Sequence, residues 1–362
     1  MTLRDVEWAA CLLEPRHDRE LEAYVRRELG AVPSAVPYFT PSPWLVRAMA
    51  SLSYNGAPLV HIDYALADLV SLVVSQDSSC RYCYSAQRTV MRVHGLAEAR
   101  IRQIEQNFLE AEIDPSTKLA LDLARRIARA APPPTAADTQ SLAAAGFAPG
   151  AIRELAYQAA YSVFMNRLMT AAAIPVASVE RMERHWALGW LAPFARLVMR
   201  RRWRRGEVTR LSPEQRAGPF SYLVHALDGL PSAPALRTAL DGMWDSPLLS
   251  HRAKGLVLAV IARGLDAPRA EQEALELLAA TGLAPREVEP ILTHLGSPAL
   301  DPIEAALAPF ARGTIRGRPV QMQQRTRALR AVLQPDEVVE AVGVCALANL
   351  IGRLDFLTRL EG

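Results

Sequence analysis

Leu69 to Cys80 reads "LVSLVVSQDSSC", and Leu256 to Ala267 reads "LVLAVIARGLDA". The second stretch lies over the first without a gap at a shift of 187 residues, from 69 to 256. The same shift sets "HGLAEARI" over "TGLAPREV" and Asp114-Pro115 over Asp301-Pro302. After one deletion the shift becomes 186. It then matches "APGAIRELAYQAAYSVFMNRL" with "QPDEVVEAVGVCALANLIGRL", pairing Pro149 with Pro335, Glu154 with Glu340 and Arg167 with Arg353. Three separated blocks in order, at nearly constant offset, define an internal repeat. A solenoid needs at least three copies, so two copies predict a duplicated domain.

Each copy reads as helices. Apolar residues recur at helical spacing in "LVRAMASL", "ALADLVSLVV" and "TKLALDLARRIARAA", and Asp-Pro, Ala-Pro and Pro-Pro steps punctuate them. Alternating strand-like runs are absent. The expectation is an all-α chain of two similar helical domains, 1–178 and 216–362, joined by a basic linker helix over 179–215. In the linker Trp186, Trp190, Phe194 and Leu197 precede Arg200, Arg201, Arg202, Arg204 and Arg205. Such a segment can meet a membrane surface or an acidic partner. The plainer expectation is a helix packed between the halves with a solvated basic end.

Composition narrows the function. The chain has 362 residues, 50% hydrophobic and 22% charged, enough for a sizeable core. A net charge of +3 gives no case for a nucleic-acid partner. Four cysteines make no disulfide framework. Charges through "MTLRDVEWAACLLEPRHDRE" interrupt the apolar run that a signal peptide needs. No stretch approaches the roughly 18 apolar residues of a membrane span. The expected location is a reducing cytoplasm, where C-x-x-C is catalytic or metal-binding rather than structural.

Cys80 and Cys83 form the one C-x-x-C. A helix beginning near Ser79, with Asp77, Ser78 and Ser79 as candidate caps, places both cysteines in its first turn. Unpaired backbone N–H groups and the helix dipole favour a thiolate there, and Arg81 adds positive charge. Three readings stay open: thiol chemistry, a zinc clip, or two inert buried thiols. A structural zinc needs four ligands, and Cys11 and Cys345 stand alone, with no two of the seven histidines at tight ligand spacing. At the repeat shift Asp68 becomes Gly255, Cys80 becomes Ala267, Cys83 becomes Ala270 and Gln87 becomes Ala274. The second copy lacks every polar group of the candidate site. One functional and one structural half is the expectation.

These residues resemble the alkylhydroperoxidase D and carboxymuconolactone decarboxylase superfamily, whose small all-helical domains are similar to each copy along most of its length. The peroxidase branch carries a glutamate, C-x-x-C twelve positions later, a histidine four residues on, then a Gly-Leu step. Here those positions hold Asp68, Cys80 and Cys83, Gln87, and Gly95-Leu96; the "NRL" at 166–168 resembles the family's last core helix. The resemblance implies that Cys83 attacks a peroxide and Cys80 resolves the sulfenic acid into a disulfide. It implies that a carboxylate and a histidine carry the proton away. Asp68 keeps the acidic role; Gln87 departs from the pattern, because an amide does not titrate.

Two histidines are candidate replacements. His61 stands seven residues before Asp68, read as two turns up the same helix. His94 stands eleven after Cys83, on the face carrying Cys83 and Gln87. Each lies at least about 10 Å of helix rise from its proposed partner. Tyr82 and Tyr84 read as packing or rim residues.

The leading expectation is a thiol-dependent peroxidase-like oxidoreductase without metal or other cofactor, acting on a small-molecule peroxide and reopened by an external dithiol. Because family members assemble as trimers of dimers, the resemblance also implies homo-oligomers, with the fused pair mimicking one dimer. A decarboxylase-like enzyme using Asp68, Gln87 and His61 on a small organic acid is the alternative. A non-enzymatic redox sensor is the third class.

Overall fold

The computed structural model describes residues 3–185, 205–283 and 285–359. The first set of helices is α1 (Arg19–Leu29), α2 (Pro43–Ser51), α3 (Tyr64–Asp77), α4 (Arg81–Val93), α5 (Glu98–Asn107), α6 (Pro115–Arg129), α7 (Ala136–Ala144), α8 (Pro149–Ala171) and α9 (Ala177–Arg184). The second is α10 (Ser221–Ala226), α11 (Ser232–Asp245), α12 (His251–Leu265), α13 (Pro268–Ala280), α14 (Pro285–His294), α15 (Pro302–Arg316), α16 (Pro319–Leu329) and α17 (Pro335–Leu354). The protein is all-α. Among the described residues the β-structure is an isolated bridge between Thr209 and Gly229. Most of the expected linker, 186–204, lies outside the described residues; its start, α9, packs on α4.

Helix starts keep the sequence offset. Helices α3, α4, α5 and α6 begin at 64, 81, 98 and 115; α12 to α15 begin at 251, 268, 285 and 302. Local chemistry sets several of these starts. Asp114 and Asp301 are both N-caps followed by proline, each accepting a backbone N–H of the first turn at 2.8 Å. Pro149 and Pro335 both stand at the first position of a long helix. Packing repeats as well: α3 contacts α4, α6 and α8, and α12 contacts α13, α15 and α17.

The corresponding helices α8 and α17 pack against each other. Almost every residue of each is buried, the polar Gln158, Ser162 and Asn166 of α8 included. The helix running from 335 is long and apolar enough to cross a membrane, contrary to the sequence expectation. Its apolar window is 94% buried, as a core helix requires. One continuous apolar core runs through both halves.

Reciprocal polar contacts join them. Arg167 donates Nη2 to the Ile315 carbonyl at 2.8 Å, while Arg353 donates Nε and Nη2 to the Ala128 carbonyl at 3.2 Å. Both the arginines and the carbonyls are repeat equivalents, so this seam has the pattern of a two-fold interface.

Candidate functional site

The first half brings Asp68 on α3 beside Gln87 and the cysteines of α4. Helix α3 ends at Asp77, and the chain turns through Ser79 at a φ of 51° before α4. The expected serine cap does not form. Cys80 is itself the N-cap, and its Sγ accepts the backbone N–H of Cys83 at 3.3 Å. The second half shows what that position demands: the equivalent N–H, from Ala270, goes to the Asp355 carboxylate at 2.9 Å. Cys80 sulfur thus occupies a place where the backbone favours negative charge.

The two sulfurs lie 2.7 Å apart and both thiols are free. Cys80 is fully buried, yet its pKa falls below the ordinary thiol value. Burial opposes the fall; the Cys83 thiol and N–H, the Thr170 hydroxyl and the Arg167 guanidinium outweigh it. Cys83 goes the other way, pushed up by burial and by its hydrogen bond to Cys80. These opposite directions favour the thiolate at Cys80 over one at Cys83. Arg81, expected to supply the charge, is engaged by Glu180 at 2.6 Å. Arg167 supplies it instead.

Asp68, 1% exposed, is the hub of the polar cluster. Its Oδ1 accepts Gln87 Nε2 at 2.8 Å and the Tyr54 hydroxyl at 3.0 Å, and its Oδ2 lies 2.9 Å from His94 Nδ1. A carboxylate only accepts, so Gln87 must turn its NH₂ to Asp68 and keep its carbonyl for another partner. Burial and the Asp68 carboxylate hold the Tyr54 phenol protonated. His94 is thus beside the carboxylate without a bend in the helix, because α3 lies alongside α4. His61 is not in the site. Helix α3 starts only at Tyr64, capped by Asp63, and His61 is exposed in the preceding loop with its ring against Gly150.

Cys83, Gln87, Tyr54, Tyr82 and Tyr161 line a cavity of about 300 Å³. Leu29, Ala86, Met165 and Met169 give it apolar walls. Tyr82 bonds Ser34 at 3.2 Å, and burial pushes its phenol up to about 12, so it acts as wall rather than base. Tyr84 is buried outside this lining, under the Arg88 guanidinium. Along one side Ser71 joins Ser162 and Gln158, each at 3.0 Å, and Ser75 joins Asn166 at 3.3 Å. Gln158 Oε1 and Asn166 Nδ2 have no hydrogen-bond partner among the described residues.

The equivalent place in the second half is filled. Ala267, Ala270 and Ala274 are buried, and a Cβ on Gly255 would stand 3.0 Å from Leu278. Among the described residues no group of three or more His, Cys, Asp or Glu side chains could hold a metal ion.

No protein-family model and no curated protein sequence matches the chain. Two solved structures do. One is an alkylhydroperoxidase AhpD core, an uncharacterized peroxidase-related protein from Ralstonia eutropha JMP134. It is 21% identical, with 46% of this chain and 89% of that one covered, at a TM-score of 0.40. The other is an uncharacterized peroxidase-related protein from Silicibacter sp. TM1040, 20% identical over 50% of this chain and 98% of that one, at a TM-score of 0.42.

Proposed function

We propose that the chain is a dithiol oxidoreductase that reduces organic hydroperoxides, built from two copies of one helical unit of which only the first is active. The observation that carries this is the placement of the sulfurs. They are 2.7 Å apart at a helix start, with Cys83 on the wall of a cavity and Cys80 buried behind it.

Access and charge divide the work. Cys83 meets the peroxide, and Cys80 thiolate accepts the Cys83 proton as the Cys83 sulfur attacks. The O–O bond breaks, leaving Cys83 sulfenic acid and an alcohol. Cys80 then attacks the Cys83 sulfur, the S–O bond breaks and water leaves. Two thiols are oxidised to one disulfide while the peroxide is reduced to alcohol and water. The two oxygens that depart need two protons. The alkoxide takes one from solvent through the Asp68–His94 pair, and the proton that passed from Cys83 to Cys80 leaves with the hydroxide as water. An external dithiol reduces the bond again.

Size selects the substrate. A water molecule's share of liquid volume is about 30 Å³, so the cavity far exceeds hydrogen peroxide. The apolar walls suit a carbon body, and the free Gln158 and Asn166 amide atoms suit a polar end. The reading places the protein in a reducing compartment and allows assembly of copies. Turnover of cumene hydroperoxide with dithiothreitol tests it. Wild type should consume peroxide, and Cys83→Ser should not. Equal consumption by wild type and by Cys80→Ser/Cys83→Ser would end this reading.

A further inference from the structure

A second cleft, of about 320 Å³, lies on the seam between the halves, on the Cys80 side of the dithiol. Arg129, Arg167, Arg316 and Arg318 line it, with Asp77 as its only acidic group among the described residues, and Ser78 and Ser79 lead from it towards Cys80. Asp77 is already engaged by Arg129 at 2.8 Å and by Arg125 at 3.5 Å. Arg167 and Arg316 bond only to backbone carbonyls, those of Ile315 and Ala130. Neither pairs with a carboxylate among the described residues. Arg167 is 5% exposed, and its Nε has no partner. The cleft also takes in Gly317, Arg318 and Pro319, which open α16, and a helix start favours an anion.

Arg129, Arg316 and Arg318 are exposed around the cleft, but Arg167 is buried, and buried positive charge without a counter-charge is costly. Four guanidinium groups against one engaged carboxylate leave an excess that a single carboxylate ligand would not balance. We propose that this cleft binds a small phosphate-bearing polyanion. The excess charge calls for a ligand with more than one negative charge, and guanidinium forks match phosphate oxygens.

The binding claim stands apart from the peroxidase reading. Calorimetric titration of the full chain with pyrophosphate and with glycerol 2-phosphate, at low ionic strength, tests it. Saturable binding is expected, weakened at least tenfold in both Arg316→Gln and Arg318→Gln and unchanged in Arg102→Gln on α5. Arg318 is exposed, so that variant keeps the fold, as circular dichroism would check. No binding at millimolar ligand, or equal binding in all variants, overturns the site.

Discussion

Cys80 and Cys83 sit three residues apart and are driven in opposite directions. A group with a lowered pKa stabilises the fold above its unfolded value and loses that contribution as pH falls through the folded one. Cys80 is such a group. Cys83, raised, contributes fully below its unfolded value of about 8.5 and loses that contribution as pH rises through its folded pKa. Thiolate absorbance of the reduced chain should therefore show one early step, below the ordinary thiol range. Cys11 and Cys345 do not add to it, since burial raises both. The step should survive Cys83→Ser and vanish in Cys80→Ser; the reverse pattern would contradict the charge assignment.

The Asp68 cluster gives a second residue-scale outcome. A positioned proton-transfer group, acid or base, contributes about 10²–10⁴-fold. His94→Gln should therefore slow peroxide consumption by at least about tenfold, with Cys83 still titratable by a thiol reagent. Gln87→His should speed it, adding a limb near the histidine pKa of about 6.5. Rates unchanged in both variants would remove the proton relay from the account. The cysteines and Gln87 could be singled out in sequence by their spacing, and Asp68 by the family resemblance. Tyr54 and the His94–Asp68 contact were not, since they depend on how neighbouring helices lie together. Arg167 was visible as a repeat match, but nothing local tied it to Cys80.

At the scale of elements, caps and hinges decide where side chains arrive. Proline and aspartate starts were readable at Asp114-Pro115 and Asp301-Pro302. The Cys80 cap was hidden because cysteine is not an ordinary capping residue and three better ones precede it. His61 was misplaced for a related reason: Asp63 caps α3, and the chain before it is held open by Glu154. That buried carboxylate accepts the backbone N–H groups of Val60, His61 and Ile62, each at 2.7 Å. Losing one acceptor for a buried donor costs about 1–3 kcal/mol. Glu154→Ala should thus lower stability by about 3 kcal/mol or more in urea unfolding, with an unchanged m-value. A loss under about 1 kcal/mol would show that the loop finds other partners.

For the whole molecule, the repeat announced the order of helices and the offset between them. It did not announce a shared core. Contacts between α8 and α17, and the crossed arginines Arg167 and Arg353, make each half part of the other's interior. The N-terminal strap does the same, with Ala9 bonded to Gln323 at 3.0 Å and Arg16 to Asp336 at 2.8 Å. Residues 1–178 expressed alone should therefore not persist as a folded monomer. Self-association or lost cooperativity in equilibrium unfolding is the expected result, and a cooperative monomeric transition would contradict the shared core.

The central claim, one working dithiol with Cys83 meeting the peroxide, is tested most directly by trapping its first intermediate. Cys80→Ser protein mixed with one equivalent of cumene hydroperoxide and dimedone should carry a single adduct, mapped by mass spectrometry to Cys83. Wild type under the same conditions should instead show a Cys80–Cys83 disulfide and no adduct. An adduct on Cys11 or Cys345, or no modification of either protein, would contradict the account.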